Sequence, residues 1–265
     1  MVRAEFPPES YPIVVAHRGA SVDYPENTLS SFAGALDAGA DVVETDVRLT
    51  ADGVPVVFHD GEVSRTTDGH GFVHELTLGE IKALDASAGK GKRAEIPTLR
   101  EVLDLVSGRA GINLEIKNLP GEPAFDSPRE ATVQAALKEV EAAGFSGPVL
   151  VSSFNWLTIE RARGLAPDVP TGFLTVGAID PRACVVYATT AGHEFVLPEI
   201  PALLAAGAGF VAEAHDAGIR VGTWTVDDPE NLRTLFSWGV DAVASNDPET
   251  ALAVRAEVRG SVPSP

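Results

Sequence analysis

The sequence contains a single cysteine, Cys184. An intrachain disulfide is therefore excluded, and a cysteine-ligated zinc site is disfavoured. Flanked by Ala183 and Val185, this thiol reads as a buried structural residue. The sequence also lacks any apolar run near the ~18–20 residues that a membrane span needs, so no integral membrane association is expected. The opening stretch, Met1 to Pro12, carries Glu5, Glu9 and several prolines. It lacks the basic, apolar, small-residue order of a signal peptide and reads as a short arm before the first strand of a cytoplasmic protein. Positive charge is scarce: 20 Lys and Arg stand against 38 Asp and Glu, a net charge of −18. Such a chain repels nucleic acid and anionic membrane surfaces at long range, so no nucleic-acid partner is expected. An anionic substrate would need a local cation, either a bound metal or a few placed Arg and Lys side chains. Low-complexity tracts, linkers and 20–50-residue repeats are missing too, apart from a repeated strand–helix unit.

What is present is enough apolar residue, 45% of 265, for a sizeable core. The length suits one domain spanning residues 1–265. Short β-branched runs mark strands at Ile13–Ala16, Asp41–Val47, Val54–Phe58, Gly111–Ile116, Val149–Ser152, Val169–Leu174, Ile219–Thr225 and Val240–Ala244. His193–Leu197 is a weaker candidate. Several runs are nearly continuous, as in strands buried on both faces. Between them lie helical patterns at Leu29–Ala38, Leu99–Val106, Pro128–Ala143, Leu157–Gly164, Pro181–Ala191, Ala202–Ala217, Pro229–Trp238 and Pro248–Val258. Asp180-Pro181, Asp228-Pro229 and Asp247-Pro248 supply cap-then-proline starts, and Gly39, Gly144, Gly218 and Gly239 supply stops. Strand and helix alternating about eight times predict a parallel sheet, and this length favours a closed (β/α)8 barrel. Asp60 to Pro97 breaks the rhythm. It is polar and Gly-rich, with a short helix expected at Thr77–Asp85, and reads as an insertion covering the end of the barrel where active-site loops gather.

The polar residues at strand ends carry the chemistry. His17-Arg18-Gly19, Glu44-Thr45-Asp46, His59-Asp60 and Glu115-Ile116-Lys117 each close an apolar run. Glu44 and Asp46, two apart on a strand, leave the same face. With Glu115 from a neighbouring strand they repel one another and call for a compensating cation. All-oxygen ligation suits Mg²⁺, Ca²⁺ or Mn²⁺ better than zinc. Taken singly, His17 also fits a hydrogen-bonded core histidine, Glu44 and Asp46 fit solvated loop carboxylates, and Glu115 and Lys117 fit an ordinary ion pair. Together they point to phosphoryl chemistry. Two histidines serve as acid and base near neutral pH, Arg18 offers a fork for a phosphate oxygen, and Lys117 offers a point charge.

These motifs, with Pro25-Glu26-Asn27-Thr28, Asp52-Gly53-Val54-Pro55-Val56-Val57-Phe58-His59-Asp60, Leu114-Glu115-Ile116-Lys117, Ile96-Pro97-Thr98-Leu99, Ser152-Ser153-Phe154 and Trp224-Thr225-Val226, resemble the glycerophosphodiester phosphodiesterases. The resemblance runs from about Ile13 to Leu252. It implies a TIM barrel with a small insertion after the second strand. It also implies hydrolysis of a small-molecule glycerophosphodiester to glycerol 3-phosphate and an alcohol. One divalent cation, Mg²⁺ or Ca²⁺ with Mn²⁺ also admitted, would sit on Glu44, Asp46 and Glu115. His17 and His59 would be the acid–base pair, with Arg18 and Lys117 on the phosphate. Asn27 would shape the site with Glu26 supporting it, and Trp224 would line the glycerol side. Two positions depart from the family: Asn246 stands at the usual Asp, and Asp227 where Asn is usual. Both are expected on the far side of the site. A lysophospholipid phosphodiesterase and a non-catalytic phosphodiester-binding barrel are the competing readings. The head group, the choice of metal, the separate roles of the histidines and the oligomeric state stay open.

Overall fold

The computed structural model describes residues 11–127 and 129–261, so most of the N-terminal arm, and the Pro128 at which one helix was expected to start, lie outside the described residues. Eight strands run parallel: β1 (Ile13–Ala16), β2 (Val42–Leu49), β4 (Gly111–Ile116), β5 (Val149–Ser153), β6 (Thr171–Thr175), β7 (Phe195–Pro198), β8 (Arg220–Thr223) and β9 (Ala242–Ser245). Each pairs with the next, and β1 pairs with both β2 and β9. The sheet thereby closes into the expected (β/α)8 barrel.

Strand alternation divides the barrel wall. Val14, Val43, Leu114, Val151, Phe173, Val196, Val221 and Val243 are buried in two clusters that include residues of the surrounding helices. Their neighbours in sequence face the bore, as period-two geometry requires. Around the wall stand α1 (Leu29–Ala38), α3 (Leu99–Val106), α4 (Ala131–Ala143), α5 (Trp156–Leu165), α6 (Pro181–Ala191), α7 (Ile200–Ala206), α8 (Ala208–Asp216), α9 (Pro229–Trp238) and α10 (Pro248–Ser261). Cys184 is buried on α6, and burial pushes its thiol up to about 11.

Two expectations are corrected. The helix anticipated across Ala202–Ala217 is two helices, because Gly207 adopts φ 77°, ψ 174°, a backbone state essentially restricted to glycine. The run at Val54–Phe58 is not a barrel strand. It forms β3 (Pro55–Val57), which pairs antiparallel with the overshooting end of β2, Val47 opposite Val57. The weakly marked run near His193 supplies the eighth parallel strand instead. The chain leaves the barrel at this β2–β3 hairpin and returns at α3. Between them, α2 (Leu78–Ala83) starts with a capping box, in which Thr77 and Glu80 exchange hydrogen bonds. Val56, Phe58, Val63, Val73, Ile81, Ala86 and Ile96 give this excursion a small core of its own.

Candidate active site

The site begins with β2 and β4 in register, Asp46 opposite Glu115 and Glu44 opposite Asn113. Both strands therefore present carboxylates inward at one end of the bore. Oxygens of Glu44, Asp46 and Glu115 lie within 4.8 Å of one another. Glu44 is 3% exposed and Asp46 is fully buried. Beneath them the bore is apolar, lined by Val15, Leu174, Leu197 and Ala244, so the charges face little screening. Burial, then Asp46 and Glu115, raise the Glu44 carboxyl well above its ordinary value. Burial also raises Glu115, with Lys117 opposing. Burial resists ionisation of Asp46 as well, but Lys117 and then Arg18 override it and hold that carboxyl well below the usual range.

Two cations answer the three carboxylates. Lys117 Nζ lies 3.0 Å from Asp46 Oδ1 and also pairs with Glu115. Arg18 Nε lies 3.3 Å from Asp46 Oδ2. Glu44 Oε1 is buried and accepts no hydrogen bond. An oxygen left bare among carboxylates, in an all-oxygen donor set, fits a hard divalent cation. These three side chains can hold one.

The turns around the triad follow from local sequence. Arg18 adopts φ 57°, costly for a side-chain-bearing residue. Its amide donates to Glu44 Oε2 at 2.9 Å, and its carbonyl accepts from Asn27 N at 3.1 Å and Ser31 Oγ at 2.8 Å. Gly19 is obligatory, since a Cβ there would meet Ser31 Oγ at 2.3 Å. Asn27 Nδ2 donates to Asp46 Oδ2 at 2.7 Å. Thr28 caps α1 by accepting from Ser31 N. Glu26 accepts from Arg18 at 3.1 Å and from Arg65 at 2.6 Å.

His17 follows the last residue of β1 and lines the same space as Glu44, Glu115 and Trp224. Its Nδ1 lies 2.8 Å from Asn246 Oδ1. His59 arrives from the opposite direction. The antiparallel β3 carries it back to the barrel mouth, where Phe58 N donates to the Asp46 carbonyl at 2.9 Å and Arg48 Nε donates to the His59 carbonyl at 2.8 Å. His59 Nδ1 lies 2.5 Å from Asp60 Oδ1, and Asp60 is also paired with Arg65. Burial lowers both histidines below their ordinary value. Arg18 adds to the effect on His17, while Asp46 opposes it on His59.

Trp224 donates Nε1–H to the Leu197 carbonyl at 2.9 Å and meets Phe154 edge-on at 5.2 Å. Lys117 stands over the same Phe154 ring, 5.9 Å from its centre. The site residues expected from sequence thus converge on one barrel mouth. Two parts were missed. Arg65, which ties Glu26 to Asp60, sits in a polar insertion with no local signal. Asn246, expected on the far side, contacts His17, and Asp227 contacts Asn246.

Residues 17–250 match the Glycerophosphoryl diester phosphodiesterase family. The chain belongs to that family. As a member it is a phosphoric diester hydrolase. It is 36% identical over 246 residues to a glycerophosphodiester phosphodiesterase of Caldanaerobacter subterraneus subsp. tengcongensis, covering 91% of this chain and 96% of that protein. Among solved structures, it resembles an Oleispira antarctica phosphodiesterase in complex with the product sn-glycerol-3-phosphate. That likeness has a TM-score of 0.83 and 33% identity, over 92% of this chain and 96% of that one. A putative glycerophosphoryl diester phosphodiesterase from Silicibacter pomeroyi gives a TM-score of 0.82 and 30% identity, over 92% and 93%. In this family setting, no helix among the described residues is long and apolar enough to cross a membrane.

Proposed function

We propose that this protein hydrolyses water-soluble glycerophosphodiesters to glycerol 3-phosphate and an alcohol. One divalent cation would sit on Glu44, Asp46 and Glu115, and His17 and His59 would move the protons. The observation that carries this reading is the buried carboxylate triad, with its bare Glu44 Oε1, sharing its space with His17 and lying beside the segment that delivers His59, where Phe58 N donates to the Asp46 carbonyl. The product named for the Oleispira antarctica enzyme supports the glycerol side of the substrate.

A cation held by Glu44, Asp46 and Glu115 would supply positive charge to the phosphoryl group and make a nearby hydroxyl easier to deprotonate. The chain's own residues do the rest. Arg18, half-committed to Glu26 and Asp46, offers its fork to a phosphate oxygen. Lys117 keeps Asp46 ionised and adds positive charge beside the phosphate. Asn27 fixes the rotation of Asp46. Trp224 and Phe154 form an aromatic wall for the glycerol carbons. One histidine takes the proton of the glycerol 2-hydroxyl as its oxygen attacks phosphorus. The other protonates the departing alkoxide, so the alcohol leaves neutral. The cyclic phosphate then opens when water adds, with the proton roles reversed.

Hydrolysis of lysophospholipids would need an apolar approach. In the insertion, Val73 and Ile81 are consumed in its own core, and Phe72 is the large apolar side chain left open, at 37% exposure. The test is a panel of glycerophosphodiesters and one lysophospholipid, assayed after chelation with Mg²⁺, Ca²⁺ or Mn²⁺ restored. Glycerol 3-phosphate should appear from the water-soluble diesters only when a cation is present. Turnover unchanged in excess EDTA, or preference for the lysophospholipid, contradicts the proposal.

A further inference from the structure

The two departures from the family pattern meet each other. Asn246 follows the last residue of β9, and Asp227 lies in the loop between β8 and α9. Val226 N pins that loop to the Ala244 carbonyl at 2.9 Å, and Asp228 caps α9. Three donors hold the Asp227 carboxylate: Asn246 N at 2.8 Å, Ser245 Oγ at 3.0 Å and Asn246 Nδ2 at 2.7 Å.

An asparagine amide has two ends, one that only donates and one that only accepts. A carboxylate accepts only. The Asn246 amide nitrogen must therefore face Asp227, since the flipped amide would set oxygen against oxygen at the same 2.7 Å. This leaves Asn246 Oδ1 pointing at His17 Nδ1, 2.8 Å away, with Ser21 Oγ beside it at 2.9 Å. An amide oxygen cannot donate, so the neutral His17 ring must carry its proton on Nδ1. Its Nε2 keeps a lone pair.

We infer that Asp227 is a positioning residue. Through Asn246 it fixes the tautomer of His17, so that this histidine enters the reaction as the proton acceptor. The inference rests on the proposed phosphodiesterase reading for its effect on rate, though the tautomer itself does not depend on a substrate. His59 differs. Its Nδ1 faces a carboxylate, Asp60, which raises the ring's proton affinity against the fall that burial imposes.

The test reads the ring nitrogens directly. In protein carrying ¹⁵N-labelled histidine, at a pH where His17 is neutral, the His17 signals are assigned by their loss in His17→Gln. Wild-type protein should show the proton on Nδ1 and a bare Nε2. Asp227→Ala frees the Asn246 amide to turn, so His17 should shift toward a proton on Nε2. The kcat should fall about 10- to 100-fold, the range for groups that orient a functional histidine, with KM nearly unchanged. The near-isosteric Asp227→Asn should move both readouts the same way but less, because its amide also accepts. Adding Asn246→Asp to Asp227→Ala should restore tautomer and rate together, since a carboxylate accepts from Nδ1 in either orientation. A proton on Nε2 in the wild type, or an unchanged tautomer or rate in both Asp227 variants, overturns the inference. An inert protein with the stated tautomer would instead contradict the proposed function and leave the inference standing.

Discussion

Glu44 pays most for the site's design. It is buried, it faces two more carboxylates, and one of its oxygens accepts no hydrogen bond. Glu44→Gln should therefore make the chelated protein more stable, by about 1–2 kcal/mol, a typical single-substitution effect. It should also weaken cation binding. Urea unfolding with and without Mg²⁺ or Ca²⁺ would show both changes, and a chelated variant less stable than wild type would contradict the electrostatic account. His17→Ala and His59→Ala should each lower kcat roughly 10²- to 10⁴-fold, as loss of an acid–base group does, while cation binding measured by calorimetry stays within a few-fold. At this scale the sequence was informative wherever spacing encodes geometry. Glu44 and Asp46 share a face because strands have period two, and Glu115 joins them by strand adjacency. The Asn246–His17 contact could not be read that way. It joins residues 229 positions apart, and only closure of the barrel between β1 and β9 brings them together.

At the scale of elements, the β2–β3 hairpin shows what composition cannot tell. Pro55–Val57 is as apolar as a barrel strand, and an apolar run carries no sign for direction. What reverses it is the turn after β2, where Thr50 Oγ1 bonds Asp52 at 2.6 Å and Gly53 takes φ 76°. His59 still reaches the expected place, because the returning strand ends at the barrel mouth. The α7–α8 break has a similar cause in Gly207. Gly207→Ala should cost about 1–3 kcal/mol in urea unfolding, from the strained backbone alone, because a Cβ there meets nothing within 4 Å. His193, just before β7, gives a pH test. It is buried, with Nδ1 2.6 Å from Thr171 Oγ1, and burial lowers its pKa below the ordinary 6.5. The unfolded chain then binds the proton that the folded chain refuses. This contribution to stability is complete above about pH 6.5 and is lost as pH falls below it, with a slope of at most about 1.4 kcal/mol per pH unit. Denaturation midpoints between pH 7.5 and 5.5 should fall less in His193→Gln than in wild type. Equal slopes would remove His193 from the account.

Over the whole molecule, a net charge of −18 works against an anionic substrate. Local cations must draw the phosphate in at short range, while the long-range field repels it. For a diester of net charge −1, such as glycerophosphoglycerol, kcat/KM should rise about two- to fivefold as ionic strength goes from 10 to 150 mM. For the net-neutral glycerophosphocholine it should stay flat. A falling rate for the anion would mean that the site's own field reaches further than the net charge suggests. A parallel sheet was legible from strand–helix alternation, its closure was expected from the chain's length, and the gathering of ionisable groups at one end was legible from the residues that close the apolar runs. The hydrogen-bond network that orients those groups required the folded chain. The central claim is that three buried carboxylates form one cation site. Its most direct test is a crystal soaked in Mn²⁺ and measured for anomalous scattering. The account predicts one ion within about 2.0–2.6 Å of oxygens from Glu44, Asp46 and Glu115, with that ion lost in Glu44→Gln. A manganese ion bound elsewhere in the barrel mouth, or one that persists unchanged in the variant, would contradict it.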